Sequence, residues 1–282
     1  MVTKRSTTPA TKSVFDAILA VLASILLIVT LFDVGFFAAG FGGTTRLLST
    51  MFSKCDSVPY LDDDAKELAQ SCRDYIFSDY GRTNGGNEAA HERFAQAEVD
   101  AAQRAAAQDS PKANSWNGQA GKVLEKANSQ SATDTAKALA NINENYTLSE
   151  DALGHLDDCY SLISQVSGKL WGINLAAVLL LLALFFTGRR HLAGMVLCIA
   201  PCALLAFLVI CGIWGFIDFA GLFTVFHHLL FPQGNWAFPA NSLLICLLPT
   251  NFWIGMGLVW ICISALASLL SVFIGRRLIA MS

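Results

Sequence analysis

The chain of 282 residues contains five histidines, and two of them stand where an imidazole could do chemistry. Asp158 and Cys159 follow His155 by three and four positions, which on a helix places both on its face. His227 and His228 lie inside an aromatic, apolar run from Asp218 to Trp253. Histidine is the side chain suited to take and return a proton near neutral pH, and a carboxylate such as Asp158 or Asp218 could orient its ring. Neighbouring helical positions point about 100° apart, so only one of the two adjacent histidines need face a site; His227 is the expected one. A second chemistry would make Cys159 a nucleophile activated by His155. A metal site could draw on His155, His227 or His228 and Asp158, but no HExxH or CxxC spacing supports it, so neither metal nor cofactor is expected.

The elements that must hold these residues are set by the apolar pattern. Of the chain, 54% is apolar and only 15% charged, which argues against both disorder and an ordinary soluble enzyme. The apolar residues gather in blocks over 14–41, 170–217 and 242–275, and a spanning helix needs about 20 of them. The middle block is twice that length. Arg189 and Arg190 at mid-bilayer would be costly, so it reads as a hairpin of two spans. The expected fold is an all-α membrane protein with four transmembrane helices at 14–41, 170–187, 192–217 and 251–275. A tail precedes them at 1–13, a mainly helical polar domain occupies 42–169, and an interfacial loop covers 218–250.

Lys4, Arg5 and Lys12 precede the first span, Arg189 and Arg190 occupy the hairpin turn, and Arg276 and Arg277 follow the last span. The positive-inside rule puts all of these, and both termini, in the cytoplasm. Residues 41–168 hold 19 acidic and 11 basic side chains, consistent with an extracytoplasmic domain. The apolar core from Val14 to Phe32 exceeds a usual signal-peptide core, so the first span reads as a retained anchor. The expected location is the cell membrane, with any site on its extracytoplasmic face.

Within the polar domain, Leu61–Phe77 begins with acidic residues and carries Leu68, Cys72, Tyr75 and Ile76 on one stripe, the pattern of a helix. The stretch 82–145 is rich in Ala, Gln, Asn and Ser and reads as a helical or partly mobile insertion with little to bury; His91 there reads as solvated. Thr147-x-x-Glu150 fits a capping box, and Ser149 is an alternative cap, for a helix running toward the second span. Among Cys55, Cys72 and Cys159, one disulfide could form, Cys55–Cys72 being favoured because both flank one helix. Pro232, Pro239, Pro249 and Gly234 forbid a continuous helix through the aromatic segment, which should dip into the outer interface. Asp33 and Asp218 near outer span ends map to the same membrane face as His155 and His227.

Phe226-His227-His228-Leu229-Leu230-Phe231, then Trp236, Leu248-Pro249 and Phe252, resembles the signature of the bacterial lipoprotein intramolecular transacylases, four-span membrane proteins of Gram-positive bacteria. Leu148-Ser149 followed by His155 and Asp158 resembles their other motif. Two features depart from the pattern: the long Ala/Gln-rich insertion, and Tyr160, where a basic residue is expected. The resemblance implies transfer of the sn-2 acyl chain of a diacylglyceryl lipoprotein to the α-amino group of its N-terminal cysteine. It implies His155 and His227 as acid and base in either order, Asp158 and Asp218 as orienting groups, and Phe226, Phe231, Trp236 and Asp33 as substrate contacts. Diacylglyceryl lipoproteins and membrane lipid would be its partners, not nucleic acid. The alternative class is a non-enzymatic membrane scaffold or partner-binding protein.

One geometric demand follows. A straight helix from Ser149 would hold His155 about 22 Å above Leu170, so either it bends near Ser167-Gly168 or the membrane boundary lies earlier and the aromatic loop rises to meet it.

Overall fold

The computed structural model describes residues 9–282, with side chains from Val14 onward, and the described residues form helices without strands. Lys4 and Arg5 lie outside the described residues, as does the side chain of Lys12. In chain order the helices are α1 (Pro9–Ala39), α2 (Gly42–Phe52), α3 (Asp62–Phe77), α4 (Gly86–Ala107), α5 (Gln119–Glu125), α6 (Ala132–Ala140), α7 (Glu150–Phe186), α8 (Arg190–Ile217), α9 (Phe219–Leu230), α10 (Leu243–Leu247) and α11 (Thr250–Ala280). Four of them, α1, α7, α8 and α11, are long and apolar enough to cross a membrane, as the apolar blocks require. The chain is a multi-pass membrane protein. α7 is unbroken through Ser167 and Gly168, so the helix is not interrupted where the bend was expected.

The chain divides into two compact units. The first comprises the N-terminal part to Ala38, residues 166–218 and residues 259–282. Its core is a cluster of Ala23, Leu27, Leu31, Leu184, Ala193, Val196, Ala200, Leu204 and Leu208. Apolar attraction does little to join helices already in hydrocarbon, so close backbone contact and hydrogen bonds must contribute. A Cβ on Gly194 would lie 2.9 Å from the Gly275 carbonyl oxygen, and one on Gly35 would collide with the Trp260 carbonyl oxygen. Ser271 donates to the Leu197 carbonyl at 3.0 Å and the Trp260 indole to the Phe32 carbonyl at 2.9 Å. The turn between α7 and α8 is made by Gly188 at φ +81°, and Arg189 pairs with Asp16 at 2.7 Å. The outward faces show large apolar side chains such as Ile18, Leu179, Ile210 and Leu269, as lipid contact demands.

The second unit comprises residues 39–165 and 219–258. α3 starts with Asp62, Asp63 and Asp64 in its first turn, favourable to the helix dipole, and buries Leu68, Cys72 and Tyr75 on the expected stripe. The reading of 82–145 as having little to bury is corrected. Ala90, Phe94, Ala101, Ala102, Ala105, Trp116, Ala120, Leu124 and Leu139 belong to the same core as Leu68 and Tyr75. Alanine contributes little area per residue, but it lets backbones approach closely. The Glu92 carboxylate accepts from the backbone of Ala132 and Thr133 at the start of α6, at 2.8 and 3.0 Å, and so ties α6 to α4. His91 is not simply solvated, since its Nε2 lies 2.8 Å from an Asp157 carboxylate oxygen.

Two further corrections concern local chemistry. Cys55 and Cys72 are free, Cys72 being fully buried in the core, so the favoured disulfide is not formed. Thr147 is not the cap of α7, because its hydroxyl is buried and donates to the Ala136 carbonyl at 2.7 Å. The alternative, Ser149, accepts from the Ala152 N–H at 3.2 Å.

Residues 219–258 share this core rather than forming a separate loop. Leu243, Leu244, Cys246, Leu247, Leu248 and Phe252 are buried in one cluster with Leu148, Ala152 and Leu156. Backbone bonds join Leu243 N–H to the Glu144 carbonyl at 2.9 Å and Lys54 N–H to the Cys246 carbonyl at 2.8 Å. The α4 region is therefore structural support. Phe94→Ala should cost about 3–5 kcal/mol by leaving a cavity, and deletion of 84–140 should leave the protein aggregated or proteolysed. Thermal unfolding and limited proteolysis in detergent check both; a stable, protease-resistant deletion variant would contradict this packing.

Candidate active site

His155 stands on the second turn of α7. The residues at intervals of four, Leu148, Ala152 and Leu156, are buried in the core, and this fixes which way the helix faces. The backbone N–H of Leu148, just before the cap, donates at 2.7 Å to Glu98, a side chain only 1% exposed. Burial pushes the Glu98 carboxyl well above its ordinary range, against the hydrogen bond from Leu148. On the far side of α7 from His155, Asp157 gathers Tyr75 at 2.5 Å, Arg82 at 3.2 Å and His91 at 2.8 Å. The Arg82 guanidinium lies 3.7 Å from the centre of the Tyr160 ring. A basic group thus occupies the place beside Tyr160, although residue 160 itself is not basic.

His227 stands near the end of α9, where the chain must turn because Pro232 and Gly234, at φ +86°, follow. It is buried while its neighbour His228 is exposed, as a 100° step on a helix allows. Its Nδ1 lies 2.8 Å from the Phe223 carbonyl oxygen. A carbonyl can only accept, so Nδ1 carries the hydrogen and, in the neutral ring, Nε2 carries the lone pair. Phe223, four residues earlier, also packs against the ring, tilted by 36° with 3.9 Å between centroids.

The two imidazoles come from positions 72 residues apart in sequence, and their ring centres are 6.0 Å apart. Around them lie Phe231, edge-on to His155 at 4.8 Å, Phe238 at 5.8 Å from His155, Phe226 at 5.4 Å from His227, and Trp236 at 5.1 Å from His227. Phe231 is buried, whereas Phe226 is exposed beside Val225 and Leu229 on the open face of α9. Burial and the nearby His227 ring push the His155 imidazole down to about 4, with Asp158 acting in the opposite sense. Burial also lowers His227, against the hydrogen bond to Phe223. Both rings are therefore neutral at pH 7 and able to accept a proton.

Asp158 does not hydrogen-bond an imidazole. Its Oδ2 accepts from the side-chain amides of Gln233 at 2.9 Å and Asn235 at 2.8 Å, tying the turn after α9 to α7. Cys159 Sγ lies 3.6 Å from His155 Nε2, but burial and the Asp158 carboxylate push this thiol up to about 12, so it is not a thiolate at neutral pH. Asp33 and Asp218 belong to the other unit: Asp33 accepts from the Asn174 amide at 2.6 Å, and Asp218 ends α8. Gln233, Asn235, Phe223 and Phe238 were missed as site residues. Two amides in an otherwise apolar, aromatic segment were the available signal for the first pair. A cavity of about 650 Å³ elsewhere in this unit, bordered by Asp62, Lys112 and Tyr146, includes neither histidine.

No curated protein and no solved structure matches the chain. Residues 124–253, which carry His155, Asp158, His227, Asn235 and Trp236, match the model of the family described as lipoprotein intramolecular transacylase, Lit, and it is to this family that the chain is similar.

Proposed function

We propose that this chain moves the sn-2 acyl chain of a diacylglyceryl-cysteine lipoprotein to the α-amino group of that cysteine. The observation that carries the reading is the pair of buried imidazoles 6.0 Å apart inside the matched stretch. The amine nitrogen must lose a proton to attack the ester carbonyl carbon, and the glyceryl oxygen must gain one as its bond to that carbon breaks. One imidazole accepts the first proton, and the imidazolium so formed supplies that proton to the glyceryl oxygen, directly or through the second ring, so the reaction balances within one substrate molecule and needs no added co-reactant. The His227 Nε2 lone pair suits it to the accepting role. Donor and acceptor share one molecule, which leaves the enzyme alignment and proton transfer as its tasks. The exposed apolar face of α9, with Val225, Phe226 and Leu229, suits acyl chains arriving from lipid. The same reading has both termini in the cytoplasm and the site on the outer face, because the clusters of basic residues that flank the spans, Arg189 with Arg190 and Arg276 with Arg277 among them, fall on one side.

Mass spectrometry of a reporter lipoprotein's N-terminal peptide, with and without the chain, tests this function. An N-acyl, monoacylglyceryl product is expected, and its absence would favour a scaffold. His155→Ala and His227→Ala should each abolish amine acylation in a folded, inserted protein, whereas His228→Ala should reduce it far less. With substrate saturating, the midpoint of the fall in rate on acidification should lie below about pH 6.5, because both rings are held below the ordinary histidine value of about 6.5. A midpoint at or above about pH 6.5 would show solvated rings. Reporter fusions at positions 100–130 should read as extracytoplasmic, and a cytoplasmic signal would put the histidines on the wrong face for lipoproteins.

A further inference from the structure

Two residues beside the imidazoles carry buried polar atoms that no group in the structure satisfies. Asn235 presents its Oδ1 and Trp236 its Nε1, both without a hydrogen-bond partner. Such orphans are costly, and a native protein that keeps two side by side needs a reason for them. Their chemistry is fixed. The Asn235 Nδ2 donates to the Asp158 carboxylate at 2.8 Å, which can only accept, so the amide cannot be flipped and Oδ1 is an acceptor only. An indole N–H is a donor only.

Their placement is equally constrained. Asn235 is tied through Asp158 to α7 one turn after His155, and the Trp236 ring lies 5.1 Å from His227. An unpaired acceptor and an unpaired donor on consecutive residues therefore lie near the two imidazoles, the acceptor held through Asp158 one turn along α7 and the donor on a ring beside His227. The proposed reaction brings together one group rich in N–H donors, the amine, and one that accumulates negative charge, the ester carbonyl oxygen. We propose that Asn235 Oδ1 receives an N–H of the substrate amine and that the Trp236 indole N–H donates to the ester carbonyl oxygen as it becomes an oxyanion.

This inference rests on the transacylase reading above. In the attack, the N–C bond forms and the carbonyl π electrons move onto oxygen, where the indole N–H stabilises them. Collapse returns those electrons, breaks the bond to the glyceryl oxygen, and restores a neutral carbonyl. A donor aimed at charge that develops only in the transition state lowers the barrier without tightening ground-state binding. An acceptor that holds the amine by one N–H leaves another proton for the imidazole. The segment 232–241 that carries both residues is mostly exposed and free of helix.

The test uses the full chain in detergent or vesicles with a synthetic diacylglyceryl lipopeptide. Trp236→Phe keeps the aromatic surface and removes the N–H; kcat should fall on the order of 10²-fold with KM little changed. Asn235→Ala removes both the Oδ1 and one bond to Asp158, and Gln233→Ala removes only a bond to Asp158. The loss in Asn235→Ala should exceed that in Gln233→Ala at least about tenfold, a difference of about 1.4 kcal/mol. Wild-type activity with Trp236→Phe within about twofold of it, or with equal losses in the two amide variants, would overturn this inference alone. No transacylation by the folded wild-type chain would overturn the reading on which it rests. If Trp236→Phe fails to fold, Trp236→1-methyltryptophan, made by peptide ligation or codon reassignment, gives the same comparison.

Discussion

Everything at the candidate site depends on how α7 is rotated about its own axis. One helical position changes direction by about 100°, so a small error would aim His155 into the core or into solvent. Three sets of contacts prevent this. Leu148, Ala152 and Leu156 are buried on one side, Asp157 is held by Tyr75, Arg82 and His91 on another, and Asp158 receives Gln233 and Asn235 on a third. The first is apolar and tolerates sliding, but the other two are directional and do not. The short arc left between them is where His155 faces His227.

That arrangement also explains why neither imidazole has a carboxylate partner. An aspartate hydrogen-bonded to an imidazole favours its charged form, whereas a base that must accept a proton at neutral pH has to start uncharged. Here Asp158 spends its Oδ2 on two amides and acts on His155 only through space, while burial dominates and keeps the ring neutral. The tautomer of His227 is set instead by a backbone carbonyl, which adds no charge. The same carboxylate works against the Cys159 thiol, which leaves that sulfur as a neutral neighbour of His155 rather than a nucleophile.

What could be read from the sequence was what local pattern records. Four apolar stretches, the arginine-marked hairpin, the acidic start of α3 and the exposure of only one of two adjacent histidines all follow from periods of a few residues. The misreadings share another cause: their partners are distant in the chain. Arg82 reaches Asp157 across 75 positions and Glu98 reaches Leu148 across 50, and no local period reports either. Residues 82–145 looked too polar for a core because alanine counts for little on an apolar scale, yet Ala101, Ala102 and Ala105 pack a face of α4 as well as leucine would where helices approach closely. Cys55 precedes α3, but Cys72 lies within that helix and is sealed in the core rather than flanking it, and nearness in sequence says nothing of burial.

The matched stretch begins at residue 124, and this divides the site's chemistry from its support. Both histidines, Asp158, Gln233, Asn235 and Trp236 lie within it. Tyr75, Arg82, His91 and Glu98, which hold the start of α7 and its far face, all lie before it, on α3, α4 and the turn between them. A basic group is required beside Tyr160 if the ring is to be paired, and in this chain Arg82 supplies it from outside the stretch. Part of what aims the reacting groups therefore lies outside the stretch that carries them, and it reaches α7 through the buried carboxyl of Glu98 and the carboxylate of Asp157. A substitution that leaves every reacting group intact, such as Arg82→Leu, would leave that carboxylate short of its cation in a half-buried position, and the first thing it would loosen is the direction in which His155 points.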